Sequence, residues 1–206
     1  YRPIGKSSED YAPFQHRLAS VGEWNVSTVN LFPSLKAGKW AYADLNQASK
    51  ETTLDLADPF ICGSFLARMH RERGVQYSYG GFLEDRSHLW RNQYNATEQK
   101  FIHLGIDFTV PEGTPIALIR PGNVVHVMHD TDQAGGWGGR VLVDHLDGEW
   151  CLYGHLEHAL QVEEGTEYPL GTIIGKLASP IQNGGWFPHL HVQLMGTPFI
   201  EAHTDK

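Results

Sequence analysis

His189 and His191 stand two residues apart in Pro188–Leu194, PHLHVQL, a run of β-forming residues. Successive side chains of a strand alternate between its faces, so both imidazoles point one way while Leu190 and Val192 point the other. A two-histidine face backed by an apolar one suits the holding of a metal or the movement of a proton. Upstream, Phe101–Val110 reads FIHLGIDFTV and places His103, Gly105 and Asp107 at the same even spacing, with Ile102, Leu104, Ile106 and Phe108 as the apolar face behind them. Gly105 leaves an empty slot between an imidazole and a carboxylate. His103, Asp107 and His191 then supply two nitrogen donors and one carboxylate with a fourth position open, the ligand set expected of a catalytic rather than a structural zinc.

A third stretch, Cys151–Leu156, reads CLYGHL and ends an apolar strand in His155. The three motifs in this order, HLGID, YGHL and HLH, resemble those of the lysostaphin-type zinc metallopeptidases, the peptidoglycan-cleaving endopeptidases, and the resemblance spans Phe101–Leu194. It implies that His103, Asp107 and His191 bind Zn2+, and that His155 and His189 are catalytic, flanking the attacking water and the substrate carbonyl. It also implies a peptide or peptidoglycan substrate and a periplasmic or extracellular location. The chain departs from the commoner family pattern at Ser179–Pro188, SPIQNGGWFP, where a short Gly/Ser loop is expected. That form is similar to the version fused to class III aminotransferases in multidomain proteins. Two alternatives therefore stand beside peptidoglycan cleavage: a metal-dependent hydrolase of a non-wall amide, and a non-catalytic binding or regulatory module of the same fold.

Composition sets the bounds. The 206 residues are 41% hydrophobic, enough for a real core. A net charge of −8 without any basic cluster argues against nucleic acid, and against an anionic surface, as an electrostatically steered partner. Cys62 and Cys151 form no CxxC and suggest neither a zinc knuckle nor a disulfide framework, although a single disulfide between them is open. No run of about 20 apolar residues is present, so no transmembrane segment is expected. No charged-then-apolar leader opens the chain, and a first residue of Tyr1 is expected of a processed or trimmed product.

The elements that must position these residues follow from their signals. Asp58 as N-cap, Pro59 at the first position and Gly74 as C-cap bound a helix near 58–73, with Ile61, Phe65, Leu66 and Met69 as its apolar face. Arg68, Arg71 and Arg73 complement its dipole. Tyr1–Lys50 reads as loops and short strands whose aromatics, Trp24, Phe32, Trp40 and Tyr42, pack on the main domain. Two Asn-x-Ser/Thr tripeptides, at Asn25 and Asn95, carry no weight. Tyr77–Leu83, YSYGGFL, is a tight hairpin or a loop near the site mouth.

From Phe101 onward short apolar strands alternate with Gly and Pro turns, the pattern of an all-β domain. A hairpin turning at Asp147-Gly148 delivers His155 to its end. The glycines at 135, 136, 138 and 139 surround Trp137 in a loop that either contacts substrate or is an exposed connection. EGTPIALIRPG (Glu112–Gly122) echoes EGTEYPLGTIIG (Glu164–Gly175), in keeping with the duplicated core of the lysostaphin-type fold. His126, His129, His145 and His158 are background candidates, His145 as a hydrogen-bonding residue near the site. The expected architecture is mainly β: a small duplicated β-hybrid, a barrel-like sandwich, at 98–206, preceded by an extension at 1–97 with one clear helix packed on the main domain.

Overall fold

A computed structural model describes residues 31–35, 39–91 and 101–203. The expectations placed on Trp24 and on the tripeptides at Asn25 and Asn95 lie outside the described residues. Within them the protein is mainly β. The strands are β1 (Trp40–Tyr42), β2 (Tyr77–Gly80), β3 (Ile106–Thr109), β4 (Pro115–Ala117), β5 (Gly122–His129), β6 (Gly139–Asp144), β7 (Glu149–Leu156), β8 (Glu167–Tyr168), β9 (Ile173–Lys176) and β10 (Leu190–Gly196). The helices are α1 (Leu45–Glu51), α2 (Pro59–Arg73) and α3 (Thr197–His203).

Eight strands form one sheet in the order β1-β2-β3-β10-β7-β6-β5-β8, and β4 pairs with β9 in a second, two-stranded sheet. Only the β1–β2 pairing is parallel among these ladders. The alternation of β6 and β7 drives Val141, Val143, Cys151 and Tyr153 to one face, where they meet Ile116 and Leu118 from the β4 side and Ile174 and Leu177 from the β9 side in the main core. The two echoing segments thus pair with each other, Ile116 opposite Gly175. At about 25 cal/mol per Å2 of apolar surface, burial of such side chains contributes about 1.5–3 kcal/mol each.

The β6–β7 hairpin forms as expected, but its loop runs from His145 to Gly148 because Leu146 (φ 62) and Gly148 (φ 85) both take left-handed backbone. Helix α2 has the expected caps: the Asp58 carboxylate accepts from Phe60 N and Ile61 N, and Gly74 closes it at φ 64. Its buried stripe is Cys62 and Leu66, flanked by Phe65 and Met69, and they join Leu45, Leu56, Leu89 and Phe187 in a second core. Ile61, expected on that face, is 36% exposed. The turn of the helix that reaches the second core is rotated one residue from the one its bulkiest side chains suggested. Cys62 and Cys151 sit in different cores as free thiols, so no disulfide joins them.

Tyr77–Leu83 is not a hairpin, and only its second half is a loop beside the site, where Gly81 O accepts from His103 Nδ1. Its first half is β2, a strand between β1 and β3, and only from Gly81 (φ 97) does it leave the sheet. Helix α1 was hidden in the sequence because its seven residues carry no apolar periodicity; it starts at Asp44, whose carboxylate accepts from Gln47 N at 2.7 Å. No helix among the described residues is long and apolar enough to cross a membrane.

Candidate active site

One row of residues crosses the centre of the sheet. Gly80 on β2 is opposite Asp107 on β3, Asp107 is opposite His191 on β10, and His191 is opposite Gly154 on β7. Directly opposed residues share a sheet face, so the carboxylate and the imidazole rise side by side between two glycines. His189 lies just before β10 and, two residues from His191, faces the same way, while Leu190 between them is fully buried in the main core.

His103 reaches this row by a different route from the one its spacing suggests. Strand β3 begins only at Ile106, and the residues before it pair with the chain after β2: Leu83 N donates to His103 O, His103 N to Glu84 O and Arg86 N to Phe101 O. Ile102 and Leu104 are consequently not an apolar face behind a strand but are 47% and 46% exposed along the cleft. Gly105 does not leave an empty slot either. A Cβ there would collide with Cε1 and Nε2 of His191 and lie 2.9 Å from Val192 O, so the absent side chain makes room for the His191 ring.

His155 requires a break in strand alternation. Gly154 belongs to the site row and Tyr153 to the core, so an unbroken strand would send His155 back to the core side. Instead His155 takes φ 65, and Tyr153 and Leu156 both stay in the core while the His155 ring turns to the site, with its centroid 4.4 Å from that of His189. A non-glycine residue in left-handed backbone is uncommon and costs on the order of 1–3 kcal/mol, held here by the surrounding structure.

Each ring is fixed by its outer nitrogen. Nδ1–H of His103 donates to Gly81 O at 2.9 Å, of His155 to Asn183 O at 2.9 Å and of His189 to Phe187 O at 2.7 Å, which leaves the Nε2 lone pair of each neutral ring toward the site. His191 is turned the other way: Nε2 faces Gln193 Oε1 at 3.3 Å and Nδ1 faces inward. Burial pulls His103 down to about 4, with the Asp107 carboxylate opposing it. Burial, aided by His189 and His191, holds His155 well below its ordinary value, and burial lowers His189. Burial would raise Asp107, but the imidazoles of His103 and His189 and the Arg86 guanidinium hold its carboxyl well below the usual carboxylate range.

The inward atoms converge. His103 Nε2 lies 2.9 Å from His191 Nδ1, and Asp107 Oδ1 lies 3.2 Å from each. Four donors held tetrahedrally at about 2.0–2.1 Å from one ion are separated by roughly 3.3 Å, close to these distances. Lone pairs crowded in a dry site repel one another, a repulsion that a cation bound between them would relieve. Among the described residues these three form the candidate metal-holding group, and all three are buried. His189 Nε2 is farther from Asp107 Oδ1, at 3.6 Å.

The cluster opens into a cleft of about 250 Å3, walled by Leu56, Trp90, Leu104, Trp137 and Trp186. The glycine-flanked loop around Trp137 is therefore part of the site. Its indole lies nearly parallel to His155, 8° between planes and 5.6 Å between centroids, and Trp137 N donates to Asp130 Oδ2. Asn183 and Trp186, in the unusual SPIQNGGWFP loop, also serve the site, since Trp186 Nε1–H donates to Gly136 O at 2.8 Å. Of the background histidines, His126, His129 and His158 do not line the cleft. His145 does hydrogen-bond, its Nδ1–H to Pro121 O at 2.8 Å, but at the turn end of the β6–β7 hairpin, about 20 Å along the strand from His155 rather than near the site. Arg86, Trp90 and Trp186 are site residues that sequence reasoning missed; a lone Arg in a polar stretch gives no signal of burial.

Residues 101–199 match the sequence model of peptidase family M23. The chain belongs to this family. The catalytic domain of lysostaphin, an antimicrobial peptidase from Staphylococcus simulans, is 32% identical, with 47% of this chain and 69% of that one covered and a TM-score of 0.41. A variant of the catalytic domain of the prophage-encoded M23 protein EnpA from Enterococcus faecalis is 30% identical, covering 46% and 68%, with a TM-score of 0.41. The DD-carboxypeptidase/endopeptidase Mpg of Neisseria meningitidis serogroup B is 32% identical over 119 residues, 58% of this chain, but the match spans only 24% of that relative.

Proposed function

We propose that the chain is a zinc-dependent endopeptidase that hydrolyses peptide bonds of peptidoglycan crosslinks. The observation that carries this reading is the convergence of His103 Nε2, His191 Nδ1 and Asp107 Oδ1 to within 3.2 Å of one another at the floor of an open cleft. These three residues would hold the ion; the donor set, two neutral imidazoles and one carboxylate, is that of a catalytic zinc. When bound, zinc supplies Lewis acidity, polarising a carbonyl and acidifying water.

His155 and His189 do the proton work. Their Nδ1–H groups are tied to backbone carbonyls, so each ring can gain a proton only at Nε2, on the cleft side. Kept neutral by burial, the pair takes one proton from the attacking water at an Nε2, and the imidazolium so formed donates that hydrogen to the developing oxyanion and then gives the same proton to the leaving amine. With 4.4 Å between ring centroids, the pair acts over one scissile bond. Trp137, stacked on His155, shields it from bulk water.

The same reading divides the chain into an extension, 1–97, and a catalytic domain, 98–206. Leu56, Ala57, Pro59, Leu89 and Trp90 line the cleft from the extension, which supports a role in narrowing it. Crosslinked peptidoglycan incubated with the purified chain should release new amino groups, and a chelator should abolish the release until zinc is restored. Intact crosslinks after incubation with the zinc-loaded chain would sink the proposal.

A further inference from the structure

The two oxygens of Asp107 have different surroundings. Oδ1 lies 3.2 Å from both candidate-ligand nitrogens, whereas Oδ2 lies 3.1 Å from Nη2 of Arg86. Arg86 is 2% exposed and comes from before the segment that matches the family. Its Nε lies 2.6 Å from Oε2 of Glu84, which is 1% exposed, and Oε1 of Glu84 accepts from Asn46 N at 2.9 Å. A chain of contacts thus runs from the start of α1 through Glu84 and Arg86 to the oxygen of Asp107 that faces away from the histidines.

The backbone fixes this chain in place. Residues 83–86 are hydrogen-bonded to 101–103 by three bonds of 2.7–3.0 Å, which tie the Arg86 segment to that of His103. Gly81 passes between them: a Cβ there would collide with Nη2 of Arg86 and lie 2.8 Å from Nδ1 of His103. The desolvation of a guanidinium and two carboxylates opposes folding, and well-packed apolar residues would often serve stability as well or better. Stability alone therefore does not account for the arrangement.

We propose that Arg86 is a positioning residue for the metal site: by holding Oδ2 of Asp107 it leaves Oδ1 as the one oxygen offered to the ion, and Glu84 keeps Arg86 in that place. The inference rests on the zinc reading above. Arg86 acts through Asp107 and touches no reacting atom. Second-shell partners of this kind orient ligands, and their loss costs about 10–100-fold in metal affinity.

The test compares the full chain with Arg86→Lys, Glu84→Gln and the double variant Arg86→Met/Glu84→Gln, which removes both charges so that neither is left buried alone. Zinc affinity is read by competition with a chromogenic chelator, the coordination by the visible absorption of the Co2+-loaded protein, and the fold by circular dichroism and melting of the metal-free protein. The double variant should stay folded, bind zinc about 10–100-fold more weakly and show an altered Co2+ spectrum. Arg86→Lys, which keeps the charge but not the planar guanidinium that spans both carboxylates, should recover part of the affinity. Zinc affinity within about twofold of wild type and an unchanged Co2+ spectrum in a folded variant would overturn the proposal. So would a loss that follows metal-free melting alone and is not relieved in Arg86→Lys. Should the double variant fail to fold, Glu84→Gln and Arg86→Lys decide by the same two readouts, since each retains one partner. A wild-type chain that takes up no zinc refutes the metal reading and this inference together, whereas one that binds zinc but leaves peptidoglycan uncut refutes only the peptidase reading.

Discussion

The imidazole of His191 occupies the space that a side chain at Gly105 would need, so a backbone position two residues from His103 and Asp107 controls where the third candidate ligand sits. Gly105→Ala must push the His191 ring aside, because Val192 O closes the other direction at 2.9 Å. Since ligand misplacement on the order of 1 Å can cost about a hundredfold in rate, the variant should fold yet lose at least that much hydrolysis, with weakened zinc retention. Zinc content and peptidoglycan release measured on the same preparation check this, and wild-type values for both would contradict it.

The proposed ligands and the proposed catalytic histidines should separate by metal content. Asp107→Ala and His191→Ala should lose zinc, and with it the stabilisation that metal binding gives the folded state by mass action. His155→Ala and His189→Ala should keep zinc while hydrolysis falls by roughly two to four orders of magnitude. Elemental analysis alongside an activity assay distinguishes the classes; a His155→Ala protein as empty of zinc as His191→Ala would refute the division.

Trp137 meets His155 twice: its backbone carbonyl accepts from His155 N at 3.0 Å, and its indole stacks on the imidazole with no side-chain hydrogen bond between the rings. Stacking of two rings is worth about 0.5–1.5 kcal/mol, so Trp137→Ala should lower kcat by about two- to tenfold, and Trp137→Phe should recover much of the loss. Steady-state kinetics with a soluble peptide substrate give the answer, and a kcat unaffected by the alanine change would remove Trp137 from the mechanism.

The two cysteines should be inert in the folded protein. Burial pushes both thiols up to about 12, and the thiolate is the reactive form. Iodoacetamide at pH 8 should therefore label neither Cys62 nor Cys151 until the chain is unfolded, when both react. Because the folded values are raised, their contribution to stability is fully present below about pH 8.5, the ordinary thiol value, and is lost as pH rises from there toward 12. Denaturant melts from pH 7 to pH 11 test the sign, and stability that increases over that range would contradict it.

Much of this protein was legible in its sequence. Strand alternation alone placed His189 and His191 on one face with Leu190 behind them, and the caps of α2 were written in Asp58, Pro59 and Gly74. The pairing of Asp147-Gly148's flanking strands and the mainly β character followed from equally local signals, because turn chemistry and period-two patterning act over a few residues.

Contacts between distant segments were decided only by the tertiary structure. Even spacing could not tell that His103 precedes its strand, that the space at Gly105 belongs to a ring 86 residues further along, or that His155 reaches the site through left-handed backbone at φ 65. Nor could it reveal Arg86 and Glu84 beneath Asp107. A charged residue in a polar stretch looks solvated until the fold brings a second charge against it. The residue types needed for the chemistry are set by the sequence, but which oxygen and which nitrogen face one another depends on the register of four neighbouring strands and on the loop that closes over them.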